Sequence, residues 1–128
     1  AVSLDQLASA KDVMQRIAAE NYPGTSAELT FNPEGGYPPL APTDGNKLLL
    51  SIYNQISQDL GYGPVTAVNP RNAGAADVSF TAGRVDMAVD GLGLSGDDDH
   101  TIRETGNLNM LAVQAKRAAL LMHRLTRK

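Results

Sequence analysis

The sequence predicts an α/β fold, because short predicted strands alternate with predicted amphipathic helices. Its 128 residues, 42% hydrophobic and 20% charged, suit one ordinary domain or a piece of a larger one. The absence of cysteine excludes disulfides, cysteine-ligated metals and thiol catalysis, but is compatible with any cellular compartment. The net charge of −3 does not favour nucleic acid as a partner, and no apolar run approaches the roughly 20 residues of a membrane span.

The first elements are a predicted helix and a predicted strand. Apolar residues at helical spacing predict a helix over residues 3–21, with Ser3 as its cap and Gln6 in the capping-box position. Strict alternation over residues 26–31 predicts a strand with one solvated face. One helix and one strand cannot make a sheet and a core, so we expect this strand to keep an open edge and to have a partner elsewhere.

A linker and a second helix follow. Four prolines and two glycines in residues 32–43 predict the linker. A helix is predicted from about Asp44 to Leu60, and Gly61 fits the position after its end. Its apolar stripe consists of Leu49, Ile52, Tyr53, Ile56 and Leu60.

The last part of the chain predicts two short strands and a long helix. The strands cover residues 65–68 and 85–89, with a loop at 69–76 between them. Asn107 is the predicted cap of a helix that runs to about Thr126. We expect its buried side to carry Leu108, Leu111, Ala115, Met122 and Leu125.

An acidic loop with a histidine is the first candidate for chemistry. Asp97, Asp98 and Asp99 precede His100, and Glu104 follows. Carboxylate oxygens and imidazole nitrogens are ordinary zinc ligands. One histidine cannot complete a catalytic zinc site, which typically has about three protein ligands. The alternative interpretation is that the loop is a solvated acidic turn beside an exposed histidine.

Small residues at 72–79 are the second candidate. If a helix begins after these residues, their backbone N–H groups could bind an anion. The alternative interpretation is a tight turn in which Asp77 caps the helix. Ser79 would need His100 or His123 as a base and a nucleophile elbow, and the elbow motif is absent. His123 lies among cationic residues that suit the C-terminus of a helix.

Two of these segments together resemble one family. Residues 74–80, Gly-Ala-Ala-Asp-Val-Ser-Phe, resemble its small-residue GGTDA or GAGDASF segment. Residues 90–104, from Asp-Gly-Leu-Gly to His-Thr-Ile-Arg-Glu, resemble its DGLG…HTxxE segment. The family is that of the zinc-dependent exopeptidases and amidohydrolases, which includes aminoacylases, glutamate carboxypeptidases, tripeptide peptidases and succinyl-diaminopimelate desuccinylase. The order of elements in residues 3–60 is similar as well.

The resemblance implies a domain organisation and a site. Residues 1–33 would be the second half of an α+β lid or dimerisation domain, 34–43 a crossover, and 44–128 the C-terminal part of the α/β catalytic domain. His100 would be the last zinc ligand. The substrate site would be lined by the segment Gly74, Ala75, Ala76 and Asp77, whose backbone would help to hold the carboxylate of a peptide or N-acyl amino acid.

The resemblance also implies what this chain lacks. The complete enzyme would hold two zinc ions and form a homodimer, but its general base and other metal ligands would come from a preceding N-terminal catalytic portion. We therefore expect this chain to supply at most one zinc ligand, His100, and no catalytic activity alone. Asp97, Asp98 and Asp99 depart from the family pattern and are either extra ligands or solvated charge. Alternatives are a non-catalytic dimerisation or assembly module that pairs through the open edge strand, and an independent small-ligand domain that uses the Gly74 loop.

Overall fold

The computed structural model describes residues 1–32, 36–70 and 72–127. These contain helix α1 (Leu4–Ala19), helix α2 (Asp44–Asp59), a 3-10 helix (Asp77–Thr81), strands β1 (Gly96–Asp97) and β2 (Thr105–Gly106), and helix α3 (Leu108–Thr126). None of the helices among the described residues is long and apolar enough to span a membrane.

The chain divides into two compact units. The first contains Ala1–Pro42 and Asn69–Val85, and the second Thr43–Val68 and Asp86–Lys128. Residues 33–35, which belong to the predicted linker over residues 32–43, lie outside the described residues. The domain boundaries that the resemblance implies remain predictions.

In the first unit, α1 begins as predicted but is shorter. The Ser3 hydroxyl accepts from the Gln6 N–H at 3.1 Å. The Gln6 side chain accepts from the N–H of Val2 at 2.7 Å, one residue before the position of a standard capping box. The helix ends at Ala19 rather than at residue 21, and none of its residues is buried.

The predicted strand over residues 26–31 is wrong, because this segment forms neither a helix nor a strand. Alternation makes a strand only where a neighbouring strand can pair with it, and the described residues contain none beside this segment. The N–H of Ala27 instead donates to the Asn21 side chain at 2.6 Å. Phe31 is half-buried and lies under the ammonium group of Lys11, 5.3 Å from the ring centroid.

The core of the second unit lies between α2 and α3. The Thr43 hydroxyl caps α2 by accepting from the Asn46 N–H at 3.1 Å, and the helix ends within one residue of the prediction. The predicted stripe of α2 is confirmed, since three of its residues are buried and the other two pack at the edge of the core. The buried apolar residues of this core are Leu49, Tyr53, Ile56 and Leu121.

The predicted strands over residues 65–68 and 85–89 are wrong as well. Side-chain amides of α2 take the place of a neighbouring strand: Asn54 accepts from the N–H of Val65 at 2.9 Å, and Asn46 from the N–H of Ala88 at 2.7 Å. The only sheet among the described residues has two strands of two residues each. The α/β class and the zinc-exopeptidase-like arrangement therefore remain predictions.

Helix α3 has the predicted bounds but buries a different face. Asn107 caps it by accepting from the N–H of Asn109 at 3.1 Å. Its buried residues are Arg117 and Leu121. The face predicted to be buried is exposed along its whole length, at Leu108, Leu111, Ala115, Met122 and Leu125. The prediction failed because it used apolar spacing alone. The buried face includes Arg117, a polar residue that has hydrogen-bond partners there, and apolar spacing cannot reveal such a residue.

Candidate functional site

The acidic segment with His100 is the loop of a β-hairpin, which the sequence analysis did not predict. Strands β1 and β2 are antiparallel, with Gly96 opposite Gly106. A Cβ atom on Gly96 would overlap the carbonyl oxygen of Thr105, and one on Gly106 would lie 2.6 Å from Cδ2 of Leu94. The hairpin closes this tightly because both positions lack a side chain.

The hairpin loop contains two residues with a left-handed backbone, Asp98 with a φ of 58° and His100 with a φ of 64°. This conformation costs a non-glycine residue about 1–3 kcal/mol, although Asp and His adopt it more often than most. The carbonyl of Asp98 accepts from both the hydroxyl and the N–H of Thr101, at 2.8 and 3.2 Å. These local bonds help to hold the turn that carries His100.

His100 itself is exposed, and its N–H donates to a carboxylate oxygen of Glu104 at 3.3 Å. Another acidic residue of the loop, Asp98, pairs with the guanidinium of Arg103 at 3.5 Å. Both partners of that ion pair are exposed, so it contributes at most about 1 kcal/mol. The loop thus engages two of its carboxylates in contacts within itself.

An open cavity of about 370 Å³ lies against the hairpin. It is lined by Leu94, Ser95, Gly96, Asp99, Glu104, Thr105 and Gly106. Across the part of the chain that the structure describes, no three His, Asp or Glu side chains lie close enough to bind one metal ion.

No family model, curated protein or solved structure matches this chain. The resemblance to the zinc-dependent exopeptidases and amidohydrolases thus rests on the motif residues 74–80 and 90–104 and on the order of elements predicted for residues 3–60, from which the strand at 26–31 is missing.

The predicted substrate segment, Gly74 to Asp77, belongs to the first unit, whereas His100 belongs to the second. Gly74 and Ala75 are exposed, and a Cβ atom on Gly74 would meet no atom within 4 Å. Ala76 precedes the 3-10 helix with an extended backbone, and no side chain caps that helix. The alternative prediction of Asp77 as the helix cap is wrong, because Asp77 is the first residue inside the helix.

Asp77 has a different partner that the sequence analysis missed. Its carboxylate accepts from the Tyr37 hydroxyl at 3.1 Å, and the ring of Tyr37 lies 5.1 Å from that of Phe80. The hydrogen bond and the negative charge of Asp77 raise the pKa of Tyr37. A Pro-rich segment is thereby linked to the start of the 3-10 helix. The weak sequence signal was an aromatic residue among prolines.

Gln114 is the second residue that sequence reasoning missed. Its amide nitrogen donates to the carbonyls of Gly93 at 3.1 Å and Gly91 at 3.3 Å. Its amide oxygen accepts from the Tyr53 hydroxyl at 2.9 Å and from Arg117 Nη1 at 3.1 Å. Burial raises the pKa of Tyr53 more than the nearby Arg117 lowers it. The amide therefore connects both helices of the core to the Asp-Gly-Leu-Gly motif.

The two remaining candidates show no sign of a catalytic role. Ser79 is buried, and its hydroxyl has no hydrogen-bond partner among the described residues, so it is not presented as a nucleophile. His123 lies exposed in the last turn of α3, where a cation complements the helix dipole.

Proposed function

We propose that this chain is the C-terminal part of a di-zinc metallopeptidase or amidohydrolase of the carboxypeptidase or aminoacylase type, which hydrolyses an amide bond next to a free carboxylate. The observation that carries the proposal is the presentation of His100. A tight hairpin places this exposed histidine on a turn with a left-handed backbone and local hydrogen bonds. An exposed histidine in a restrained turn is well suited to be a metal ligand.

The donor chemistry of His100 fits one position of a zinc site. A catalytic zinc typically takes about three protein ligands, and the described residues do not bring such a set together. The proposal therefore assigns the other ligands and the general base to an N-terminal catalytic portion, and it assigns no activity to this chain alone. When bound, zinc would polarise the amide carbonyl and lower the pKa of a bound water.

The proposed role of Gly74 to Asp77 is to contact the substrate carboxylate through exposed backbone. The accessible surroundings of Gly74 support this role. The carboxylate of Asp77 would repel the substrate carboxylate, but it already accepts a hydrogen bond from Tyr37. The side chain of Asp77 would accordingly hold the loop in place, while its backbone would line the site with the other three residues. Substrates with a free carboxylate next to the cleaved amide bond are peptides and N-acyl amino acids.

Exposed apolar surface supports a large interface with that missing portion. Helix α3 exposes the large apolar side chains of Leu108, Leu111, Met122 and Leu125. An exposed apolar stripe of this kind, the exposed stripe of α3, is typical of a protein–protein interface.

The proposal is tested with the product of the native gene. We expect zinc-dependent hydrolysis of N-acetyl amino acids or dipeptides that falls at least about 100-fold in His100→Ala, because loss of a ligand weakens the metal site. His123→Ala is the matched control, since it removes the other exposed histidine. Hydrolysis that is equally fast in His100→Ala and His123→Ala would contradict the ligand assignment.

A second candidate function is a non-catalytic dimerisation or assembly module. The exposed stripe of α3 favours it, whereas pairing through an edge strand at 26–31 has lost its structural basis. If the 128-residue chain forms a homodimer through α3, Leu111→Glu should dissociate the dimer into monomers. Asn109→Glu, on another face of α3, should leave the dimer intact. A monomeric wild-type chain in multi-angle light scattering would count against this candidate.

A further inference from the structure

We propose that Gln114 is a positioning residue that fixes the His100 hairpin to the α2–α3 core. The effect on the hairpin is independent of the proposed function, whereas its importance for zinc binding rests on that function. A glutamine amide has two N–H donors and an oxygen with two lone pairs. All four positions are used, by Gly91, Gly93, Tyr53 and Arg117.

The partners also determine how the amide is oriented. Two carbonyl oxygens face the nitrogen, and a hydroxyl and a guanidinium face the oxygen. A flipped amide would place its nitrogen against the guanidinium of Arg117 and its oxygen against the two carbonyls. Only the observed orientation satisfies all four groups.

The segment that Gln114 holds leads directly into the hairpin. Residues 91–93 have the sequence Gly-Leu-Gly, so two of the three residues have no side chain with which to anchor themselves. Their carbonyls are fixed by Gln114 instead. At the base of the hairpin, the N–H of Asn107, which caps α3, donates to the carbonyl of Ser95 at 2.8 Å. This bond joins the two ends of the hairpin to each other, whereas Gln114 joins the incoming end to α3.

The loop that carries His100 depends on these anchors. Within residues 98–104, the hydrogen bonds and the ion pair join loop residues to one another, including a bond from the Arg103 N–H to the Thr101 hydroxyl at 3.1 Å. They preserve the shape of the turn but do not locate it relative to α3. The location of His100 therefore depends on the base of the hairpin, where Gln114 holds the incoming segment.

The substitution Gln114→Glu separates this role from a general role in the core. The carboxylate keeps acceptor oxygens for Tyr53 and Arg117 and gives the buried guanidinium a negative partner. It loses the two N–H donors and faces the carbonyls of Gly91 and Gly93 with an oxygen. We therefore expect the helix core to stay folded and the base of the hairpin to loosen.

Amide hydrogen exchange on the full 128-residue chain, measured by NMR, tests the proposal. In Gln114→Glu the Asn107 amide should exchange at least ten-fold faster than in the wild type, while the Ile56 and Leu121 amides keep their protection. The ¹⁵N shifts of the His100 imidazole should also change. Gln15→Glu, at an exposed position of α1, is the charge-matched control and should change neither.

Two results would overturn the proposal. One is unchanged exchange at Asn107; the other is an equal loss of protection at Asn107, Ile56 and Leu121, which would make Gln114 an ordinary core residue. If Gln114→Glu does not fold, Gln114→Met removes the same donors without adding a charge, and the same comparison applies. Because no metal is present in this experiment, its failure is distinct from failure of the zinc assignment, which the activity of His100→Ala reports.

Discussion

The guanidinium of Arg117 lies against the ring of Tyr62 without a carboxylate partner in the described part of the chain. The distance from its Cζ to the ring centroid is 5.6 Å, and Nη2 donates to the Tyr62 carbonyl at 3.4 Å. Arg117 is only 7% exposed, and its Nε has no hydrogen-bond partner there. Burying a cation without a counter-ion costs several kcal/mol, so this residue contributes little net stability.

The first prediction concerns this buried cation. Arg117→Met should leave the free energy of unfolding within about 1 kcal/mol of the wild type or raise it, because the apolar side chain removes a desolvation cost. Leu121→Ala, on the same buried face of α3, should lose about 2–5 kcal/mol and serves as the reference. Urea unfolding measures both. A loss above about 3 kcal/mol in Arg117→Met would show that the guanidinium is strongly stabilising.

The second prediction concerns the close approach of the hairpin strands. Gly96→Ala should destabilise the hairpin by about 1–3 kcal/mol, since the new methyl group overlaps the Thr105 carbonyl. Gly93→Ala is the control, because its Cβ would meet no atom within 4 Å and its φ is not in the left-handed region. Exchange of the Asn107 amide reports on the hairpin. Equal exchange rates in the two variants would contradict the observed packing.

The third prediction is a pH dependence at the ends of α2 and α3. Hydrogen bonds from Arg124 and Gln55 lower the pKa of Asp59. Because the folded-state pKa is depressed, the stabilisation is present above the unfolded value of about 4 and is lost as the pH falls through the folded-state value. Asp59→Asn should lose more stability at pH 6 than at pH 2. If Asp59→Asn lowers the free energy of unfolding by the same amount at pH 6 and at pH 2, the result would argue against the ion pair.

The fourth prediction concerns the Tyr37–Asp77 hydrogen bond. Because Asp77 raises the pKa of Tyr37, Asp77→Asn should shift ionisation of this tyrosine to lower pH. Absorbance at alkaline pH follows the change, and subtraction of a Tyr37→Phe titration isolates the signal of Tyr37 from those of the other three tyrosines. An unchanged Tyr37 transition in Asp77→Asn would contradict the contact.

Helices were more predictable from this sequence than strands. The bounds of α2 and α3 follow from local signals: Thr43 and Asn107 act as caps, and Gly61 adopts the left-handed backbone that follows a helix end. Strands depend on a partner that local sequence does not specify. At Val65 and Ala88 the partner proved to be an asparagine side chain of α2.

The site was predictable only in part. The residue types around His100 indicated candidate ligands, but no local pattern predicted the β-hairpin that carries them. Its strands have two residues each and depend on glycines at positions 96 and 106, which alternation patterns do not detect. Gln114 and Tyr37 act through contacts more than 20 residues away in sequence, so spacing could not reveal them.

Native mass spectrometry of the product of the native gene tests the central claim most directly. We expect a species heavier than 13.5 kDa that carries these residues at its C-terminus and binds two zinc ions per chain. His100→Ala should lower that zinc content, and His123→Ala should leave it unchanged. A species of 13.5 kDa without zinc, or the same zinc content in wild type and His100→Ala, would contradict the proposal of a di-zinc enzyme with His100 as a ligand.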